Sequence, residues 1–193
     1  ALIIVYAVVI VLGRQFLPLL DRYETEINGF LSERLGIDVE IHGLGGYWLQ
    51  LTPVLKLEDL IVHAEDRQRR GIAVEGLTAE LDLLNSLASL NPVWKNLRAG
   101  EVSIVASEDA RGRWRIAGLR VAGAGGDTLE YLLDVLYYSR FLRIDRVNLE
   151  LHFFSGATAR VYGRDIQVEN SGDFHRATAR FALEDEKGDA ARL

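Results

Sequence analysis

Four histidines, no cysteine and a few acidic pairs are all that this chain offers to catalytic chemistry. His42, His63, His152 and His175 stand alone. None has a second histidine at i+2 or i+4, and no His-x-Glu-x-x-His run occurs, so the spacing that sets metal ligands on one face is missing. They read as solvent-side strand residues. Without cysteine there is no disulfide, thiolate zinc site or thiol nucleophile, and the redox compartment stays open. The glycines of "GLGGYW" (Gly43 to Trp48) resemble a phosphate loop, but Tyr47 and Trp48 stand where a helix should begin and no Lys-Ser/Thr follows. A turn into a strand is the better reading. Glu58-Asp59, Glu65-Asp66 and Glu108-Asp109 fall at expected bulges or turns and read as solvated edges. No Gly-x-Ser-x-Gly elbow is present. The expectation is a protein that is not an enzyme, with no cofactor and no metal.

Bulk properties narrow the partners. A net charge of -6 argues against nucleic acid, whose phosphates need clustered Lys and Arg. Hydrophobic residues make up 49% of the 193, which suits a well-buried or lipid-facing protein of one domain or slightly more. Residue 1 is Ala and there is no Met, so a start upstream is expected; a strand and the turn "EDEKGD" at the other end give the expectation of more chain there too.

The elements follow from periodicity. "ALIIVYAVVIVL" opens the chain without a charge. Twelve helical residues reach about 18 Å against about 30 Å of hydrocarbon. No small-x-small cleavage site follows, so residues 1–16 read as a truncated transmembrane anchor, ahead of a signal-peptide core or a buried helix. Pro18 suits a first turn, and Leu20, Tyr23, Ile27, Phe30, Leu31 and Leu35 fall at helical spacing before Gly36, which predicts an amphipathic helix over 17–36. From 37 to 120 the period becomes two, with strands at 38–42, 46–51, 54–63, 71–83, 101–106 and 113–117 and a short helix in "LNSLASL". A glycine-rich loop fills 121–126. From 127 to 193 a second amphipathic helix, with Asp127 and Glu130 at capping-box spacing, leads back into sheet at 144–154, 158–169 and 174–184. "LRAGEVSI" (Leu97 to Ile104) is echoed by "LRIDRVNL" (Leu142 to Leu149).

The strands share an irregularity. Val39 and Ile41 are two apart, then Leu44 follows by three; Leu57 to Leu60 and Val74 to Leu77 repeat the step of three. A one-residue insertion of this kind is a β-bulge, which bends a strand and returns the next apolar residue to the same face. Repeated bulges predict a sheet that curls. The fold class expected is α+β: an N-terminal transmembrane helix and amphipathic helices, then a curved, bulged antiparallel β-sheet forming a hydrophobic trough.

The order of these parts, an apolar anchor followed by "FLPLLDRYETEINGFLSERLGIDVEIHGLGGYWLQLTPVLKLEDLIV" and later "GIAVEGLTAELDLLNSL" and "FLRIDRVNLELHFFSG", resembles the AsmA-like family, and within it the long bridge-like lipid transfer proteins. The resemblance implies a single-pass protein of the bacterial inner membrane with a periplasmic β-rich domain, whose partners are phospholipid, the membrane and envelope proteins at its ends. It implies lipid carriage along a hydrophobic β-groove. On this chain the groove residues would be Leu55, Leu57, Leu60 and Val62; Ile72, Val74, Leu77 and Leu81; Val102 and Ile104; Val147, Leu149, Leu151 and Phe153; Ile166 and Val168; Phe181 and Leu183. Lys56, Glu75, Glu80, Asn148 and Glu150 would face water.

Three other readings stand beside it. The apolar face could be the core of an ordinary α+β domain packed under two helices, although two helices are few for about eight strands. The chain could be a periplasmic scaffold that assists outer-membrane assembly without holding lipid. A hydrolase is the weakest, since no nucleophile and base are in evidence. "DRQRR" (Asp66 to Arg70) reads as an exposed hairpin tip, or as a contact to lipid phosphates worth about 1 kcal/mol per basic residue. Trp94 and Trp114 read as core residues, while Trp48 lies near enough to the anchor for an interfacial role.

Overall fold

A computed structural model of the chain describes residues 2–35, 37–64, 70–89, 92–119, 139–171, 174–184 and 190–192. The Gly36 cap, nearly all of the basic turn, the 121–126 loop and the helix expected from Asp127 lie outside these residues.

The apolar opening run forms helix α1 (Leu2–Phe16), of 15 residues. At 1.5 Å per residue it reaches about 22 Å. Among the described residues no helix is long and apolar enough to cross a membrane, so the transmembrane span expected over 1–16 is not found. The single helix expected over 17–36 is two pieces. Pro18 falls in the first turn of a 3₁₀ segment (Leu17–Tyr23), and α2 begins only at Glu24 and runs to Leu35.

The apolar stripe of this unit is narrower than its spacing predicts. Leu20, Ile27 and Leu31 pack against Val39, Ile41, Leu44 and Val62, whereas Tyr23 and Phe30 are exposed. The reason is that the neighbouring face of α2 is used for hydrogen bonding. Glu24, Asn28 and Ser32, one per turn, meet the open edge of β1 (Val39–His42) and Leu44, two residues past it. The Ile41 N–H donates to Asn28 Oδ1 at 2.9 Å, and Asn28 Nδ2 donates to the Ile41 carbonyl at 3.1 Å. The Val39 N–H donates to Ser32 Oγ at 3.2 Å, and the Leu44 N–H to Glu24 Oε2 at the same distance. An edge strand's row of unpaired groups invites a second chain, and these three side chains close it.

The other strands are β2 (Gly45–Leu49), β3 (Thr52–His63), β4 (Arg70–Leu81), β5 (Trp94–Glu108), β6 (Trp114–Ile116), β7 (Phe141–His152), β8 (Thr158–Ser171), β9 (Phe174–Glu184) and β10 (Ala190–Arg192). A short helix, α3 (Leu83–Ser89), stands where "LNSLASL" predicts it. The strands form one curved sheet in the order β1-β3-β4-β5-β7-β8-β9-β10, with β2 on β3 and β6 on β5; it does not close. β5 starts seven residues before the expected 101, and β7 three before 144.

The sheet is mostly antiparallel, but β5 and β7 run parallel. Parallel neighbours cannot be joined by a tight turn, and here the connection between them contains β6 and passes through 117–140. The two echoed stretches meet at this seam in register: Leu97 pairs with Leu142, Arg98 with Arg143, Val102 with Val147 and Ile104 with Leu149.

Asn28→Ala removes both partners of Ile41 at the covered edge. It is expected to lower stability by about 2 kcal/mol, from two part-buried hydrogen bonds of about 1 kcal/mol each. Hydrogen exchange should speed up at the Ile41 amide and stay unchanged at the amides shared by β7 and β8.

Candidate functional site

Cross-strand partners in a sheet point to the same side, so the pairing register reveals which predicted groove residues share a face. One row runs Ile41, Leu60, Val74, Val102, Val147, Gly163, Phe181 over seven neighbouring strands. The next runs Val39, Val62, Ile72, Ile104, Leu149, Val161, Leu183. A third joins Ala106, Leu151 and Ala159, with Ile116 of β6 beside Ala106. On the near side, toward the β2–β3 turn, lie Leu57 with Leu77, then Ala99, Ile144, Ile166, and then Leu55, Ala79, Leu97, Leu142, Val168, Ala177. Leu81 pairs with Trp94 beyond a register shift, and Phe153 leaves the end of β7 to meet the Trp114 ring edge-on at 5.3 Å.

What keeps these rows on one side is a step of three repeated at one height. It reads Ile41-His42-Gly43-Leu44, Leu57-Glu58-Asp59-Leu60, Val74-Glu75-Gly76-Leu77, Ala99-Gly100-Glu101-Val102, Ile144-Asp145-Arg146-Val147 and Gly163-Arg164-Asp165-Ile166. Leu57 and Leu60 both pack into the cluster of Val39 and Val62, although strict alternation would set them on opposite faces. On the other side two consecutive residues point the same way: Asp145 Oδ2 accepts from Arg98 at 3.0 Å, and Arg146 Nε donates to Glu101 at 2.8 Å. The slips are shared by both members of each pair, so the ladder resumes without a shift. Gly43, Gly76 and Asp165 meet the geometry with φ of +64°, +65° and +53°. β9 does not slip, and the register jumps there between Arg164 and Gln167.

The opposite face is ion-paired over most of its width, with the pair Ile61 and Ala73 buried on it. Glu101 also accepts from Asn148 Nδ2 at 2.6 Å, so the parallel seam between β5 and β7 is stitched from that side. The Asp145 carboxyl is held below its ordinary value, first by the Arg143 hydrogen bond and then by that from Arg98. Lys56 and Glu75 are exposed there as expected, and Glu80, Asn148 and Glu150 are half-buried among polar partners.

Along the two long rows cover fades across the sheet, while on the side of the β2–β3 turn Ala79, Leu97 and Leu142 are buried as a second cluster. Val39, Ile41 and Val62 are buried beneath α2; Ile104, Leu149 and Leu151 are half-buried; Phe181 is 50% exposed and Leu183 40%. The sequence reading missed Leu97, Ala99, Leu142, Ile144 and Val161, which belong to the same face. The signal was available, because Leu97 and Leu142 open the echoed motif. At the far end, Asp109 fixes the β5–β6 turn. Its carboxylate accepts the N–H groups of Arg111 and Arg113 at 2.8 and 3.0 Å, and the Arg113 backbone bond is the main reason its pKa falls to about 2.

The histidines lie within this scaffold. His42 and His63 each donate from Nε2 to Glu40, at 2.8 and 2.9 Å, joining β1 to β3 on the polar side. His152 faces Glu150 at 3.0 Å, and His175 Nδ1 lies 2.8 Å from Asn170 Oδ1. The hydrogen bond from His63, and next that from His42, hold the Glu40 carboxyl below its ordinary 4.5, against a smaller effect of burial.

These features define a class: an α+β protein on an open, curved sheet that carries one apolar face unbroken past a crease. The model of the YhdP protein family matches residues 1–193, and the chain belongs to that family. The AsmA-like membership expected from the sequence is thereby shown. No curated protein matches the chain.

Two outcomes follow from the crease and from Glu40. At Gly76 an added Cβ meets nothing closer than 3.8 Å, so Gly76→Ala carries only the left-handed backbone cost of about 1–2 kcal/mol. At Gly71 the Cβ would lie 2.0 Å from the Ala117 carbonyl oxygen, so Gly71→Ala should cost more, and urea unfolding ranks the two. Glu40 is lowered in the folded state, so its contribution is present above 4.5 and is lost as pH falls below it. Glu40→Gln is therefore expected to flatten the fall of the urea midpoint on acidification below 4.5.

Proposed function

We propose that this protein is held at the bacterial inner membrane by α1, projects into the periplasm, and conducts phospholipids toward or from the outer membrane along the apolar face of the sheet. Membership of the YhdP family supports a place among bridge-like lipid transport proteins. Exposed Val8, Val11, Leu12 and Phe16 offer the apolar surface that a membrane contact needs.

The observation that carries the reading is the pair of apolar rows that cross seven strands without a charged side chain. At about 4.8 Å per strand, six steps carry each row across about 29 Å. A phospholipid passing through water exposes two acyl chains, at about 0.8 kcal/mol per CH₂ and on the order of 20 kcal/mol in all. A continuous apolar wall removes most of that barrier with no bond made or broken. The end under α2, next to α1, is the mouth in this reading, and β8, β9 and the Leu149–Leu151 part of β7 form the open wall.

A photo-crosslinking amino acid placed at Leu149 or Leu151 in the membrane-borne protein is expected to capture phospholipid, and at Asn148, on the opposite face, to capture none. Leu57, packed among the residues under α2, should give little. Adducts no more frequent at Leu149 and Leu151 than at Asn148 would sink conduction and leave the scaffold that assists outer-membrane assembly without holding lipid.

A further inference from the structure

The turn between β2 and β3 departs from hairpin chemistry. Two-residue hairpin loops favour Asn-Gly or Gly-x because one or both central residues need positive φ. Here the tip reads Leu49-Gln50-Leu51-Thr52, and Gln50 takes φ +58° without being glycine. Leu49 is 55% exposed and Leu51 52%. A polar tip would fold more easily, so two exposed leucines on a strained turn call for a reason.

Their position supplies one. The hairpin lies along the helical segment that begins the chain. An added Cβ at Gly46 would sit 2.5 Å from Leu17 Cγ, and one at Gly13 would sit 2.6 Å from Trp48 Cζ2, so a glycine on each partner permits the close approach. The Trp48 indole N–H is buried without a hydrogen-bond partner, so packing alone orients the ring. Going from residue 46 to 48 in the strand matches going from 17 back to 13 in the helix, about 6–7 Å in each. One more such step places Gln50 level with residues 9 and 10, inside the uncharged run of α1. Arg14, at the polar end of that run, donates from Nη2 to the Gln50 carbonyl at 3.1 Å.

We infer that the β2–β3 tip is a second membrane-inserting element, which seats Leu49 and Leu51 in the lipid surface beside α1. The inference rests on the proposed contact of α1 with the membrane. Wherever the Val8–Leu12 stretch enters lipid, the docked tip enters with it, and the Arg14 guanidinium stands at the level of the lipid phosphates.

The absence of cysteine allows single labelling sites. Leu49→Cys, Leu51→Cys, Leu12→Cys and, at the far end of the sheet, Ala110→Cys would carry an environment-sensitive fluorophore on the full chain. The chain would be reconstituted in phosphatidylethanolamine–phosphatidylglycerol vesicles containing lipid spin-labelled near the headgroup. The expected result is a blue shift and quenching at 49, 51 and 12, and neither at 110. Quenching at 12 without quenching at 49 and 51 overturns the inserted tip and leaves α1 in the membrane. Quenching at none of them overturns both. A blue shift at 49 and 51 that spin-labelled lipid does not quench assigns the tip to a protein contact and also overturns the inference.

Discussion

A β-strand shows alternate residues to opposite sides, so a strand that bends sharply puts its side chains out of phase unless it gains a residue at the bend. Everything in this sheet depends on how that constraint is met. Six stretches of chain take the extra residue at the same height, and each does so with two consecutive polar or glycine residues. Because neighbours slip together, the backbone ladder resumes in register and the apolar rows on the two sides of the crease remain on one face. A slip in one strand alone keeps the face but breaks the ladder, as where β8 slips beside β9 and the register jumps between Arg164 and Gln167. Paired slips bend the sheet and leave its face intact.

The same device shapes the polar side. Doubling the polar residues at the crease brings Asp145 and Arg146 side by side, and they reach different strand-β5 partners, Arg98 and Glu101. These exposed contacts are individually weak. Their value is geometric, because they sit on the one parallel seam among the described residues, where the pairing is slightly less stable per residue and no hairpin holds the register. The first edge is closed by a different means. The Glu24, Asn28 and Ser32 side chains take the place of a neighbouring strand, so pairing there is complete while β9 keeps most of its outer edge free of a described partner.

Much of this was legible in the chain. The change of period after residue 36, the steps of three at Leu44, Leu60 and Leu77, and the echo of Leu97–Ile104 at Leu142–Leu149 were visible as patterns, because alternation and its interruption are properties of the sequence itself. Three things were not. Spacing alone predicts Tyr23 and Phe30 on the packed stripe of one helix over 17–36, since nothing local says that Asn28 and Ser32 will turn toward a strand edge. The expected start of β5 is late because Gly100 interrupts the alternation ahead of the clearer half of the strand, and that of β7 is late by three residues. The parallel seam was missed because pairing between echoed strands is a non-local choice that periodicity does not encode.

The fading cover over the apolar rows ties the two ends of the molecule together. An apolar face left half-open in water is unfavourable by roughly 25 cal/mol for each square ångström, and a sheet of ordinary design would close it with helices or with itself. Here α2 spends its apolar residues on β1 and β3 and its polar ones on the strand edge, so its reach ends at the first strands. Crowding the cover beside α1 and the β2–β3 turn puts the tightest packing where the proposed membrane contact lies. The least covered residues, Phe181 and Leu183, fall at the opposite side, on the strand where the crease stops. A face that had to be buried only by its own chain would need no such order. The proposed conduction, with lipid accepted at one side and passed on from the other, would account for it.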